Sequence, residues 1–204
     1  MATKGEITRE KILEGATRIF NRQGFAATTV NDLLAATGTT KGNLYFHFPG
    51  KEEVGLEVLH RAKGGFIHFL DASLQGVSPG ACLDNFFRQA LEKHRESGFV
   101  GGCLWGNTAL ETSDTAPEFV GVASEVFTEW IGKLRETVAA AQAAGQVRRD
   151  LPAACLAELV VATVEGAIMQ SRMKKEEGPL ARTLETLRSL LELKVRDGRG
   201  LNPQ

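Results

Sequence analysis

Residues 24–54 read GFAATTVNDLLAATGTTKGNLYFHFPGKEEV, and this stretch governs how the rest of the chain is read. Thr28 or Thr29 can cap a short helix whose Val30, Leu33 and Leu34 face inward. Gly38 then stands where a tight turn needs positive φ. Thr40 can cap a third helix running to about Phe48, and Pro49-Gly50 breaks it. Upstream, Ile12, Leu13, Ala16, Ile19 and Phe20 recur at helical spacing, which predicts a first helix over 8–23 stopped by Gly24. Downstream, Glu52 and Glu53 suit the positive N-terminal end of a long helix over about 51–74.

Three short helices with a glycine turn between the second and third make a helix-turn-helix. The second helix of such a motif can enter the DNA major groove. Leu44 and Phe48, four apart, face the core. The opposite face carries Gly42, Asn43, Tyr45 and Phe46, with Thr40 and His47 at its edges. Asn can bond a base edge and Phe can touch a thymine methyl. Tyr, Thr and His can bond phosphates. The competing reading is the core of a small helical bundle. The aromatic cluster alone would favour that reading, but the spacing leaves Tyr45 and Phe46 exposed, and exposed large aromatics mark an interface.

The remaining segments also read as helices. They are expected over about 81–97, 103–111, 117–144, 152–174 and 179–195, with Thr115 to Glu118 forming a capping box ahead of the third of these. There is no sustained alternation of a strand. The expected fold is all-α: a three-helix N-terminal domain (1–50) and a larger helical domain (51–204). The final GRGLNPQ has the composition of a frayed end.

Composition narrows the function. Hydrophobic residues make up 43% and charged residues 24% of 204 residues, an ordinary globular mix. No apolar run is expected to cross a membrane and the N-terminus lacks a leader pattern, so the expected location is the cytoplasm. Cys82, Cys103 and Cys155 form no CxxC pair, and His47, His60, His68 and His94 have no second ligand at a metal spacing, so neither metal nor cofactor is expected. No catalytic group is recognisable in sequence order, so an enzyme is disfavoured. Net charge is −1, while residues 1–50 carry +2 from Lys4, Arg9, Lys11, Arg18, Arg22 and Lys41 against Glu6, Glu10, Glu14 and Asp32. That asymmetry fits a small DNA-facing end without establishing one.

Over about residues 8–55 the chain resembles the N-terminal domain of TetR-type regulators. Gly24-Phe25, Thr28-Thr29, the Gly38 turn, Lys41-Gly42, Leu44-Tyr45, His47-Phe48 and Lys51 fall in that family's order. The resemblance implies an operator-binding regulator. Thr28 and Thr29 would hold a phosphate. Thr40, Lys41, Gly42 and Asn43 would supply base and nearby backbone contacts. Tyr45 and His47 would bond phosphates, Phe46 would make van der Waals contact, and Lys51 would neutralise another phosphate. It also implies a repressor released when an unknown small-molecule effector moves the fourth helix, with His60, His68 and Phe69 as transmitters.

In the helical body, Leu180, Leu184, Leu187 and Leu191 form a heptad-like seam, and the helix before it is rich in Ala and Gly. Periodicity leaves open whether these stripes pack within the chain or against a second copy. The resemblance favours a homodimer through about 152–174 and 179–195, which would read a palindromic duplex. Candidate effector contacts are Phe66, Phe69, Cys103, Trp105, Asn107, Phe127, Trp130 and Met169, with Phe86 as a further cavity wall. Bulky residues at helical spacing are more often core than pocket. The rival to an operator-binding regulator is a helical small-molecule-binding protein that does not engage DNA.

Overall fold

The computed structural model describes residues 3–195, and the terminal GRGLNPQ lies outside the described residues. Among these the regular structure is helical throughout: α1 (Lys4–Gln23), α2 (Val30–Thr37), α3 (Lys41–His47), α4 (Lys51–Ser73), α5 (Pro79–Glu96), α6 (Leu104–Thr112), α7 (Pro117–Ala143), α8 (Ala153–Lys174) and α9 (Gly178–Leu190). Contacts divide the chain into two units. One holds residues up to Gly65 together with Leu104–Glu125; the other holds Phe66–Cys103 and the chain from Val126. The boundary expected at residue 50 falls inside the first unit. α4 and α7 each run from one unit into the other.

The first unit closes around Ile12, Leu13, Ala16, Phe20, Leu33, Leu44, Phe48, Val54 and Val58. α1 starts one turn earlier than the apolar stripe implied. Thr3 caps it, and Thr3 and Glu6 form a reciprocal capping box that frees the helix from needing an apolar first turn. Gly15 lets α2 approach closely, because a Cβ there would lie 2.5 Å from the Thr37 methyl.

The second unit has a separate core. Leu70, Leu83, Phe86, Phe87, Trp130, Leu134, Val160, Val164 and Ile168 belong to it, as do Leu180, Leu184, Leu187 and Leu191. The leucine seam of α9 is therefore spent inside the chain. α9 also ends earlier than its periodicity suggested, at Leu190 rather than Val195. Glu192 turns to φ 53° and the Leu193 N–H bonds back to the Arg188 carbonyl. The chain after the turn pairs with 146–148, through Arg148 N–H to the Leu191 carbonyl and Lys194 N–H to the Gln146 carbonyl, both 2.9 Å. Tertiary backbone bonds replace the next helical turn.

Two further expectations are corrected. α7 begins at Pro117, so Ala116 precedes it; Thr115 instead closes a turn through its N–H to the Thr112 carbonyl. Contrary to the expectation that no segment is long and apolar enough to cross a membrane, α8 is. Its Leu156, Val160, Val161, Val164, Ala167 and Ile168 lie in the core of the second unit.

Candidate nucleic-acid interface

α2 and α3 are built by local bonds that leave one face bare. Thr29 caps α2: its hydroxyl accepts from the Asp32 N–H at 3.2 Å and donates to the Asp32 carboxylate at 2.6 Å. These bonds hold the Asp32 carboxyl below its ordinary pKa, through the Thr29 side chain first and its backbone second. Gly38 ends α2 in the left-handed conformation at φ 61°. Thr40 caps α3 by accepting from the Asn43 N–H at 3.3 Å. Leu44 and Phe48 then anchor α3 in the core.

Lys41, Gly42, Asn43, Tyr45 and Phe46 are exposed, and Phe46 is 82% exposed. Nothing lies within 4 Å of a Cβ built on Gly42, so the backbone there is open to close approach. The His47 ring meets Phe46 edge-on at 5.0 Å, and Lys41 Nζ sits 5.9 Å from the Tyr45 ring centre. Thr40 and Thr29 are also exposed. The face holds donors, acceptors and an uncovered aromatic ring, the mixture that groove and phosphate contacts use.

Two expected contact residues are placed differently. Thr28 is buried: its hydroxyl donates to the Gly24 carbonyl at 2.6 Å and accepts from Gln23 Nε2 at 3.3 Å. Its position two residues before α2 puts it under the α1–α2 corner, so its side chain is a structural brace rather than a phosphate contact. Lys51 is partly buried, with Nζ donating to the Phe25 carbonyl at 3.0 Å and lying 4.3 Å from the Phe25 ring centre.

That corner is held by residues far away in sequence. Glu111 on α6 accepts from the Ala26 N–H. Its carboxylate fills the space beside Gly24, where a Cβ would lie 2.5 Å from Oε1, and Gly24 has φ 91°. Phe25 packs on Phe119 of α7 at 4.5 Å between ring centres. Gly55 makes room for both rings, since a Cβ there would fall 2.7 Å from each. In the sequence, Glu111 stands out only as the acid that closes GGCLWGNTALE (101–111), beside Cys103, Trp105 and Asn107, and nothing in that spacing gives it this role.

The expected effector contacts are divided between the two units. Asn107 lines a cavity of about 20 Å³ in the first unit with Phe20, Phe25, Val58, Glu111 and Phe119, room for about one water. Trp105, also in the first unit, is buried. Phe66, Phe69, Cys103 and Phe127 pack against the core of the second unit, which contains Trp130 and Phe86. Met169 is half exposed while Ala167 and Ile168 are buried, so it lies on the outer side of α8. His60 and His68 are exposed. Among the described residues no group of three or more His, Cys, Asp or Glu is placed to hold a metal ion.

Residues 12–58 match the model of bacterial regulatory proteins of the tetR family, and residues 79–187 match the tetracyclin repressor-like C-terminal domain. The chain is 30% identical over 200 residues to the HTH-type transcriptional regulator YxaF of Bacillus subtilis, covering 95% of this chain and 100% of that one. It is 28% identical to the HTH-type transcriptional repressor DhaR of Mycobacterium sp. (strain GP1), over 84% of this chain and 86% of that one. A TetR transcriptional regulator from Chloroflexus aurantiacus superposes with a TM-score of 0.84 at 32% identity, covering 93% and 96% of the two chains. These relatives are transcription regulators rather than enzymes. The chain belongs to the TetR family of helix-turn-helix, DNA-binding transcriptional regulators.

Proposed function

We propose that this regulator is a repressor that binds a palindromic operator as a homodimer and leaves it when a small molecule occupies its helical body. The observation that carries the DNA-binding part is the uncovered face of α3, with Phe46 82% exposed beside Asn43 and Gly42. Thr40, Lys41, Gly42 and Asn43 serve as base and adjacent backbone contacts, and Asn43 is the main reader. Tyr45, His47, Thr29 and Lys51 hold phosphates. Residues 1–50 act as the DNA-binding part and 51–204 as the effector and dimer part, in the cytoplasm.

The dimer reading rests on α8 rather than on the leucines of α9. Cys155, Leu159, Ala162, Met169 and Met173 are exposed, and Gly166 is partly so. They recur at alternating four- and three-residue steps, a heptad stripe without a charge. Leu159 is 45%, Met169 50% and Met173 69% exposed. No heavy atom lies within 4 Å of a Cβ built on Gly166, so the stripe has open space for a second helix. Two recognition helices about 34–36 Å apart would then read one turn of duplex. An effector shifts this equilibrium only if it prefers the non-binding state.

The test is a gel shift with DNA from upstream of the gene at several salt concentrations. Specific, salt-dependent binding with two protomers per site is expected. Failure to bind any duplex at low salt would leave a helical small-molecule-binding protein instead.

A further inference from the structure

A single peptide group at the α1–α2 corner is held at both ends by charges from distant helices. The peptide joining Phe25 to Ala26 accepts at its carbonyl from Lys51 Nζ at 3.0 Å and donates through its N–H to Glu111 Oε2 at 3.1 Å. A peptide dipole is negative at the oxygen and positive at the hydrogen. The ammonium at the start of α4 and the carboxylate near the end of α6 each meet the end of opposite sign. The same carbonyl also accepts from the Thr28 N–H at 3.2 Å. All of these groups belong to the first unit.

The Phe25 ring is fixed as firmly as its carbonyl. It lies 4.3 Å from Lys51 Nζ, 4.5 Å from the Phe119 ring and 5.3 Å from the Phe20 ring. The residue therefore forms a seat for the Lys51 ammonium. An ammonium has three donors, so one spent on Phe25 leaves two for a further acceptor. A lysine stem is flexible, and ordering it on binding costs entropy. A seat that holds the ammonium before DNA arrives lowers that cost. Hydrogen bonds in a chain polarise one another, so a carboxylate on the N–H strengthens the carbonyl as an acceptor.

We propose that Glu111 is a positioning residue for operator binding, acting through the Phe25–Ala26 peptide to aim the Lys51 ammonium at a DNA phosphate. The proposal rests on the reading of Lys51 as a phosphate contact and adds the residue that holds it ready. On charge alone, removing an acid from a protein that binds a polyanion strengthens binding. Loss of aim weakens it. The sign of the effect therefore separates positioning from simple electrostatics.

The test measures affinity of the full chain, at several salt concentrations, for a duplex that the unaltered protein selects from a random-sequence library. Lys51→Met is expected to lower the slope of log affinity against log salt by about one per protomer. Glu111→Leu is expected to lose at least about half of that same slope and to bind roughly fivefold more weakly or worse. The double variant is expected to lose no more slope than Lys51→Met. Glu111→Gln, which keeps an acceptor for the Ala26 N–H, is expected to retain the unaltered slope. Glu111→Ala replaces Glu111→Leu if thermal unfolding shows that the leucine variant does not fold. The proposal is overturned if Glu111→Leu keeps the full slope or binds more tightly, or if the slope losses of the two single substitutions add. An unchanged slope in Lys51→Met overturns the phosphate reading of Lys51 and the proposal with it, whereas a slope lowered in Lys51→Met but not in Glu111→Leu overturns the proposal alone.

Discussion

Glu111 Oε2 lies 3.1 Å from the backbone nitrogen of Ala26, joining α6 to the corner that leads into the helix-turn-helix, 85 residues away in sequence. The bond satisfies an N–H that neither α1 nor α2 can use. Glu111→Leu should cost about 1–2 kcal/mol, the range for a hydrogen bond to a charged group that is partly solvated. Glu111→Gln, which retains an acceptor, should cost less. Urea unfolding gives the energies, and hydrogen exchange at Ala26 should accelerate in Glu111→Leu. Unchanged exchange would show that the bond does not hold the corner.

Phe46 and Leu44 sit two residues apart on α3 with opposite exposure. Phe46→Ala should lower operator affinity and shift stability by no more than about 0.5 kcal/mol, as for an exposed site. Leu44→Ala should cost about 2–5 kcal/mol of stability through the cavity it leaves. Asn43→Ala should relax base preference at one position per half-site in a randomised-operator selection.

Lys51 has two duties to separate. In the free protein its ammonium bonds the Phe25 carbonyl. If it also neutralises a phosphate, Lys51→Met should reduce the slope of log affinity against log salt by about one per protomer. An unchanged slope with reduced stability would assign Lys51 to the corner alone.

Gly166 offers a clean test of the dimer. Space around it is open, so Gly166→Glu should leave the single chain folded while placing a charge in the α8 stripe. Sedimentation should show monomers, and operator binding should fall with them. A stable dimer in this variant would move the interface elsewhere.

His94 on α5 is buried, and burial, with the neighbouring Lys93 charge second, holds its pKa at about 4, down from 6.5. The unfolded chain therefore binds a proton first as pH falls. Stability is fully present above about pH 6.5 and declines towards pH 4, by an amount on the order of 2–3 kcal/mol from this residue. His94→Gln should flatten that part of the unfolding-energy curve. An equal slope in both proteins would show that His94 is not the group responsible.

The amino-acid sequence by itself determined the parts that local bonds build. Thr29 and Thr40 as caps, Gly38 as the left-handed stop, and the outward face of α3 all follow from residues within four positions of one another. Thr3 and Glu6 carried an equally local signal, which the apolar stripe beginning at Ile12 obscured. Only the tertiary structure decided what covers each helical face. Periodicity gave α9 a leucine seam, but its burial against the chain's own core left the Leu159–Met173 side of α8 uncovered instead. It likewise took the fold to bring Glu111 to Ala26 and to bury the Thr28 hydroxyl on Gly24. The physical reason is that spacing along a helix specifies an apolar side, whereas the partner for that side is chosen by packing between segments far apart in the chain.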